Sequence, residues 1–309
     1  MGTRLEQGFI EPVTYNTIMK ITEIFQKQQK TFSFEFFPPR DEISAVDFGI
    51  NVGQLMKLNP SFVTVTYGAG GSTQERTFAL VDYLQNKIGL TCMAHYTCVN
   101  ATRQRVTEDL KYLVNIGIDN LMLLRGDPPK GQKTFVAPRD GFQFASQLTA
   151  FTSKRFDFCQ AGACYVDKHP EAPSLEEDIR HLKEKVIAGS DFLITQLFFE
   201  NRNYFRFIEL VRKTGINCRI IPGIIPITSY KQIERFTSMS GAEIPGNLVQ
   251  MLESGKDDPD ATYRIGMEFS INQCRELLAN GAPGLHFYTL NKSRAAVEIF
   301  ETLSGEISG

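Results

Sequence analysis

Eight short runs rich in β-branched and aromatic residues recur along the chain, and a longer stretch with helical periodicity separates each from the next. They are 31–37 (TFSFEFF), 61–67 (SFVTVTY), 90–97 (LTCMAHYT), 120–125 (NLMLLR), 158–165 (FCQAGACY), 191–198 (DFLITQLF), 218–224 (CRIIPGI) and 284–289 (GLHFYT). Strands that alternate with helix-length segments run parallel, because each helix returns the chain to the edge where the next strand begins. Eight such units in 309 residues fit a closed (βα)8 TIM barrel, a single α/β domain over 1–309. An open doubly wound sheet is the competing architecture; the first strand lacks the glycine-rich dinucleotide turn that would favour it. The intervening stretch 174–190 shows the helical signal well. Ser174 precedes Glu177 by three residues, a capping-box pattern, and Leu175, Ile179, Leu182 and Val186 form one apolar stripe. Residues 1–30 read as an N-terminal helical extension, and 229–280 is long enough for extra helices before the last strand.

The balance of charges excludes some partners. Formal net charge is −2, which provides no field for nucleic acid or an anionic membrane. No apolar run approaches the length of a membrane span, and the first residues (MGTRLEQGFIEP) have no apolar core like a secretory signal, so a cytoplasmic protein is expected. The six cysteines form no CxxC pair and sit mostly in apolar runs, as buried reduced thiols do. With four scattered histidines and no ligand-spaced cluster, no metal site is expected.

In a barrel of this kind chemistry gathers where the strands end. Polar residues do fall late in the runs: Glu35, Thr66 and Tyr67, His95, Arg125 with Asp127, Tyr165, Gln196 and Tyr288. Side chains alternate along a strand, so Ser33, Glu35 and Phe37 share one face and Phe32, Phe34 and Phe36 the other. With the phenylalanines against the helices, Glu35 points into the barrel mouth, where desolvation favours a protonated carboxyl of the kind a general acid needs. A structural pairing of Glu35 with Arg40 or Arg125 is the alternative. Asp127, between Gly126 and two prolines, is either a carboxylate held on a stiff loop or the partner of Arg125. The run GAGGST (68–73) is either a flexible loop or a cradle of backbone N–H groups. Asp178, His181 and Lys185 share the polar face of the 174–190 helix, a solvated surface or, with His169, the lining of a nucleotide site. No GxSxG elbow and no HExxH motif is present.

FSFEFFPPR, VTVTYGAGGST, LLRGDPP, HPEA, ITQLFFE, IPGI and HFYTLN, in this order from about residue 30 to residue 303, resemble the methylenetetrahydrofolate reductase family. The resemblance implies a TIM barrel with non-covalent FAD. It also implies hydride transfer from NADH or NADPH, through the flavin, to 5,10-methylenetetrahydrofolate. Glu35 matches the family's general acid, and Asp127 matches the carboxylate beside flavin and pterin. Thr66, Tyr67, Ala69, His95, Arg125, Gly126 and Asp127 match FAD-lining positions on the first half of the barrel. Ala145, Tyr165, His169, Ala172, Asp178, His181 and Lys185 match those on the second half. Gln196, Tyr230, Tyr288 and Lys292 match positions that meet folate or nicotinamide. Tyr230 stands where phenylalanine is frequent and keeps the ring. Lys292 stands where arginine is usual and keeps the charge without the two-pronged grip on a carboxylate. His181 stands where some members have asparagine. By the same resemblance a homo-oligomer is expected. Without a second domain after the barrel, inhibition by S-adenosylmethionine is not. Relatives that draw electrons from a ferredoxin or an accessory subunit leave that donor open. A catalytically silent folate- or flavin-binding subunit is the reading from another class.

Overall fold

A computed structural model describes residues 18–67, 74–128, 131–132, 134–240 and 242–307. Among them nine parallel strand segments form one sheet: β1 (Thr31–Phe36), β2 (Phe62–Val65), β3 (Cys92–Thr97), β4 (Asn120–Leu124), β5 (Cys159–Cys164), β6 (Phe192–Thr195), β7 (Arg219–Ile221), β8 (Gly223–Ile224) and β9 (Gly284–Tyr288). Their order is β7-β6-β5-β4-β3-β2-β1-β9-β8. The run 218–224, expected as one strand, is two segments. Pro222 has no N–H to donate and breaks the ladder, while its carbonyl still accepts from the His286 N–H at 3.0 Å. β7 therefore pairs with β6, β8 pairs with β9, and the two halves of one run close the ring. The architecture is the expected α/β barrel.

Helices α1 (Ile21–Lys27), α2 (Glu42–Met56), α3 (Gln74–Asp82), α4 (Arg103–Asn115), α5 (Ala145–Ser153), α6 (Leu175–Ile187) and α7 (Asn201–Lys213) alternate with the strands. The long segment before β9 holds α8 (Tyr230–Ser240), α9 (Gly246–Ser254) and α10 (Pro259–Ala279); α11 (Arg294–Ile307) follows β9. At α6 the Ser174 hydroxyl accepts from the Glu177 N–H at 3.2 Å, and Ile179 and Leu182 are buried.

The phenylalanines of β1 face outward as alternation requires. Phe36 meets Phe48 of α2 edge-on at 5.5 Å, and Phe32 meets Phe300 of α11 at 5.2 Å. The inward residues form a separate, smaller apolar cluster closed from below by α1. Ile21 and Ile24 pack there with Phe62, Met93, Phe192 and Ile221. Polar contacts hold this plug. Asn120 Oδ1 accepts from the Ile21 N–H at 2.8 Å, and Asn120 Nδ2 donates to the Met19 carbonyl at 3.2 Å. The Arg219 guanidinium lies 4.3 Å over the Phe25 ring and donates to the Phe25 and Gln28 carbonyls. Capping the N-terminal mouth leaves the opposite mouth as the open one.

Asn120→Ala removes both contacts and leaves the Ile21 N–H buried without a partner. We expect a loss of about 1–3 kcal/mol, measured as a shift of the urea midpoint at unchanged slope.

Candidate active site

Glu35 stands near the end of β1 and is 8% exposed. Two histidines flank it inside the barrel: His95 Nε2 at 3.6 Å and His286 Nε2 at 3.7 Å from the same carboxylate oxygen, Oε2. The β1–β9 register sets Ser33 beside His286 and Glu35 beside Tyr288. On its far side His286 Nδ1 lies 2.8 Å from the Ser33 hydroxyl. A serine, an imidazole and a carboxyl thus lie in line across the two strands. Burial pushes His95 down to about 4, against the opposing pull of Glu35, so at neutral pH its contact with Glu35 is not an ion pair. Arg40 and Arg125 are not the partners of Glu35; Arg125 is committed to Glu171 by two bonds of 2.5 and 2.8 Å.

The turn after β9 fixes the end of β1. The Thr289 hydroxyl donates to the Glu35 carbonyl at 2.7 Å. Asn291 bonds Phe37 twice, accepting from its N–H and donating to its carbonyl, each at 2.8 Å. This geometry needs left-handed backbone at Leu290 (φ 52°) and Asn291 (φ 61°), unusual for leucine and the kind of strain that surrounds functional sites.

Across the mouth, the Tyr288 hydroxyl reaches over to donate to the Thr195 carbonyl at 2.6 Å. A Cβ at Gly223 would lie 2.3 Å from that carbonyl oxygen and 2.6 Å from the Tyr288 hydroxyl, which accounts for the glycine of IPGI. Desolvation, then the Glu35 carboxyl, hold the Tyr288 phenol well above its ordinary range. Gln196, just past β6, accepts from the Leu197 N–H at 2.9 Å, and nearby the Tyr165 ring meets His169 edge-on at 4.7 Å. The His169 N–H donates to Asp178 at 2.8 Å. Half-buried Lys185 donates to the Ala163 carbonyl at 2.5 Å, and burial holds its ammonium below the usual range. At the end of β4, Gly126 takes φ +82°, and a Cβ there would strike Val99 at 2.6 Å. The next residue, Asp127, is exposed, and after burial its charge is the largest influence raising the Tyr165 phenol.

The structure thus gathers Glu35 and His95 with Tyr288 on one side of the mouth. On the other it gathers Gln196, Tyr165, His169, Asp178 and Lys185, with Arg125, Gly126 and Asp127 on the β4 loop. Thr66, the residue after β2, is buried, and Tyr67 follows it against Tyr96, ring to ring at 5.6 Å. Ala145 opens α5, and the Ala172 N–H donates to the His169 carbonyl at 2.9 Å. Tyr230 opens α8 with its hydroxyl 3.4 Å from Glu253, and Lys292 is exposed beyond the turn after β9. His181 goes elsewhere: its side chain is 55% exposed and lies 3.3 Å from Glu184 on its own helix. Ala69 and the rest of GAGGST lie outside the described residues. The sequence reading missed His286, Thr289 and Asn291. Its own rule held the signal for the first, since alternation places His286 on the face of Tyr288. The other two act through backbone that only pairing positions.

A family model described as methylenetetrahydrofolate reductase matches residues 20–304. The chain belongs to the methylenetetrahydrofolate reductase family. It is 34% identical over 275 residues to the Escherichia coli (strain K12) 5,10-methylenetetrahydrofolate reductase, covering 89% of this chain and 91% of that one. It is 36% identical over 295 residues to methylenetetrahydrofolate reductase (NADH) 1 of Arabidopsis thaliana, covering 92% of this chain but 50% of the relative. The chain thus spans about half the length of the plant relatives it matches. Among solved structures, an uncharacterized protein from Clostridium thermocellum that binds two copies of 5-methyl-5,6,7,8-tetrahydrofolic acid shares the fold, at TM-score 0.64 and 14% identity over 92% of this chain and 98% of that one. Among the described residues no cluster of His, Cys, Asp or Glu could hold a metal ion, and no helix is long and apolar enough to cross a membrane.

The depressed His95 carries a pH dependence. The unfolded chain protonates this residue near 6.5 and the folded chain only near 4, so stability is full above 6.5 and is lost as pH falls towards 4. The loss attributable to His95 is about 3 kcal/mol over that window. His95→Gln should flatten this part of the profile in denaturant unfolding followed against pH.

Proposed function

We propose that this chain reduces 5,10-methylenetetrahydrofolate to 5-methyltetrahydrofolate, with NADH or NADPH as electron donor and non-covalent FAD between them. The observation that carries the reading is the Glu35 carboxyl, buried at the open mouth between two imidazoles in a chain of this family.

The residues present suit a flavin. Thr66 Oγ1 and His95 Nε2, at the ends of β2 and β3, are buried without a hydrogen-bond partner among the described residues, so each can accept or donate a bond to a ring that covers the mouth. Arg125, Gly126 and Asp127 would flank that ring. Tyr165, His169, Ala172, Asp178 and Lys185, with Ala145, would follow the nucleotide away from it. When bound, FAD supplies two-electron storage between the nicotinamide and the folate.

The chain's own residues do the acid–base work. Glu35 delivers a proton to a folate ring nitrogen, so that the five-membered ring opens to a cationic carbon. His286, steadied by Ser33, and neutral His95 flank the Glu35 carboxyl. The Asp127 carboxylate stabilises the cation electrostatically. Gln196 presents its amide to the two substrates in turn. Exposed Lys292 suits the folate's carboxylate tail as a point charge. NADH is the donor to test first, since the plant relatives carry it in their names.

The test is the visible spectrum of FAD-loaded protein under anaerobic conditions. NADH should bleach the flavin band and methylenetetrahydrofolate restore it. Glu35→Gln should still bleach at a near-normal rate while reoxidation by the folate slows by roughly 10²–10⁴-fold. Equal loss in both half-reactions, or in neither, overturns the role of Glu35. A flavin that neither NADH nor NADPH bleaches points to a protein electron donor instead.

A further inference from the structure

Phe34 and Phe36 of β1 are buried, but Phe37, the residue after the strand, is 39% exposed. Its ring pairs with no other aromatic ring among the described residues and belongs to none of the apolar clusters. Backbone pairing shows where that ring points. The Phe32 and Phe36 carbonyls accept from the Ser61 and Thr66 N–H groups, on the β2 side. The Glu35 carbonyl accepts from Thr289, and Phe37 exchanges both its bonds with Asn291, on the β9 side. The alternation of a strand thus continues through Phe37, with the Asn291 amide standing in for one more strand residue. Phe37 therefore shares the inner face of Glu35, two residues and roughly 6.6 Å further out at the mouth. The clamp is itself anchored. Asn51 of α2 accepts from the Ser293 N–H at 2.7 Å and from its hydroxyl at 2.9 Å, and the Lys292 N–H donates to the Thr289 carbonyl at 2.9 Å. A strained turn tied to a helix thus fixes the backbone of a residue whose ring the described chain leaves uncovered.

We infer that the Phe37 ring is a platform for the benzoyl ring of the folate and makes the mouth prefer folate to nicotinamide. The inference rests on the folate reading above and adds a specificity-determining residue to it. Three groups follow one another outward on this side of the mouth: the Glu35 carboxyl, the Phe37 ring and exposed Lys292, which comes directly after the asparagine that clamps Phe37. A folate presents matching groups in the same order: a ring nitrogen to protonate, a benzoyl ring and a carboxylate tail. Stacking on a ring already held in place orders little that was free, so most of the contact is kept as affinity. A nicotinamide nucleotide carries ribose and diphosphate next to its reacting ring, and neither stacks on a phenyl group. The two substrates use one mouth in turn, and Phe37 favours only one of them.

Titration of the FAD-loaded full chain with 5-methyltetrahydrofolate, followed by flavin absorbance, tests the inference, with the NADH half-reaction measured beside it. Phe37→Ala should raise the Kd for 5-methyltetrahydrofolate roughly tenfold. The NADH concentration that half-saturates flavin reduction should shift much less. Phe37→Tyr keeps the ring and should restore affinity to within about twofold, whereas Phe37→Leu keeps bulk without a ring and should not. Asn291→Ala, which frees the backbone under the ring, should weaken folate in the same direction. FAD affinity and melting temperature, followed in every variant, separate loss of the platform from loss of the fold. Equal weakening of both substrates overturns the inference. So does a leucine variant as good as phenylalanine, and so does an alanine variant with unchanged affinity. A flavin that neither NADH nor NADPH bleaches refutes the nicotinamide reading and leaves this titration readable. A wild-type protein that takes up no 5-methyltetrahydrofolate overturns both.

Discussion

The parallel pairing of β1 with β9 is the contact on which the rest of the site depends. It joins residues about 250 positions apart in the chain and sets Ser33 against His286 and Glu35 against Tyr288. A carboxyl in an apolar strand is costly to bury unless polar groups meet it. Here the last strand of the barrel supplies them, and the strained turn that follows ties the Glu35 carbonyl and both backbone groups of Phe37 in place. Closing the barrel and building the site are therefore one event. The bottom of the barrel serves the same end, since α1 and Asn120 close it and leave the mouth around Glu35 open.

The electrostatics of the mouth follow from how deeply each group sits. His95 is buried far enough that desolvation outweighs the attraction of Glu35, and it stays neutral. Arg125, which could have neutralised Glu35, is drawn outward by Glu171 and rests over Phe135 at 5.5 Å. Two acids thus keep different surroundings: Glu35 lies buried among imidazoles and Asp127 exposed on its loop.

Much of this was legible before any coordinates. The β1 phenylalanines lie on the outer face that alternation assigned to them, because a strand's period of two holds whatever it packs against. The extra helices before β9 were visible as surplus length. The break at Pro222 was readable in principle from the missing N–H. The partner of Glu35 was not readable in this way. Arg40 and Arg125 were the nearest cations by type and position, while the groups that meet it come from β3 and β9. His181 shows how local its surroundings can be. It shares a helix face with Asp178 and Lys185, but a helix face is wide, and its outer edge turns this ring to Glu184 and solvent.

The amino-acid sequence by itself determined the alternation of strand and helix, the parallel barrel that follows from it, and the gathering of polar side chains at the strand ends. Each is a local property, governed by backbone period and by side-chain chemistry within a few residues. The tertiary structure decided which of those polar groups meet. It brought His286 to Glu35, set Tyr288 over Gly223 and gave Arg125 to Glu171. Those choices depend on strand register and ring closure, which couple distant segments through hydrogen bonds that no short window of sequence contains.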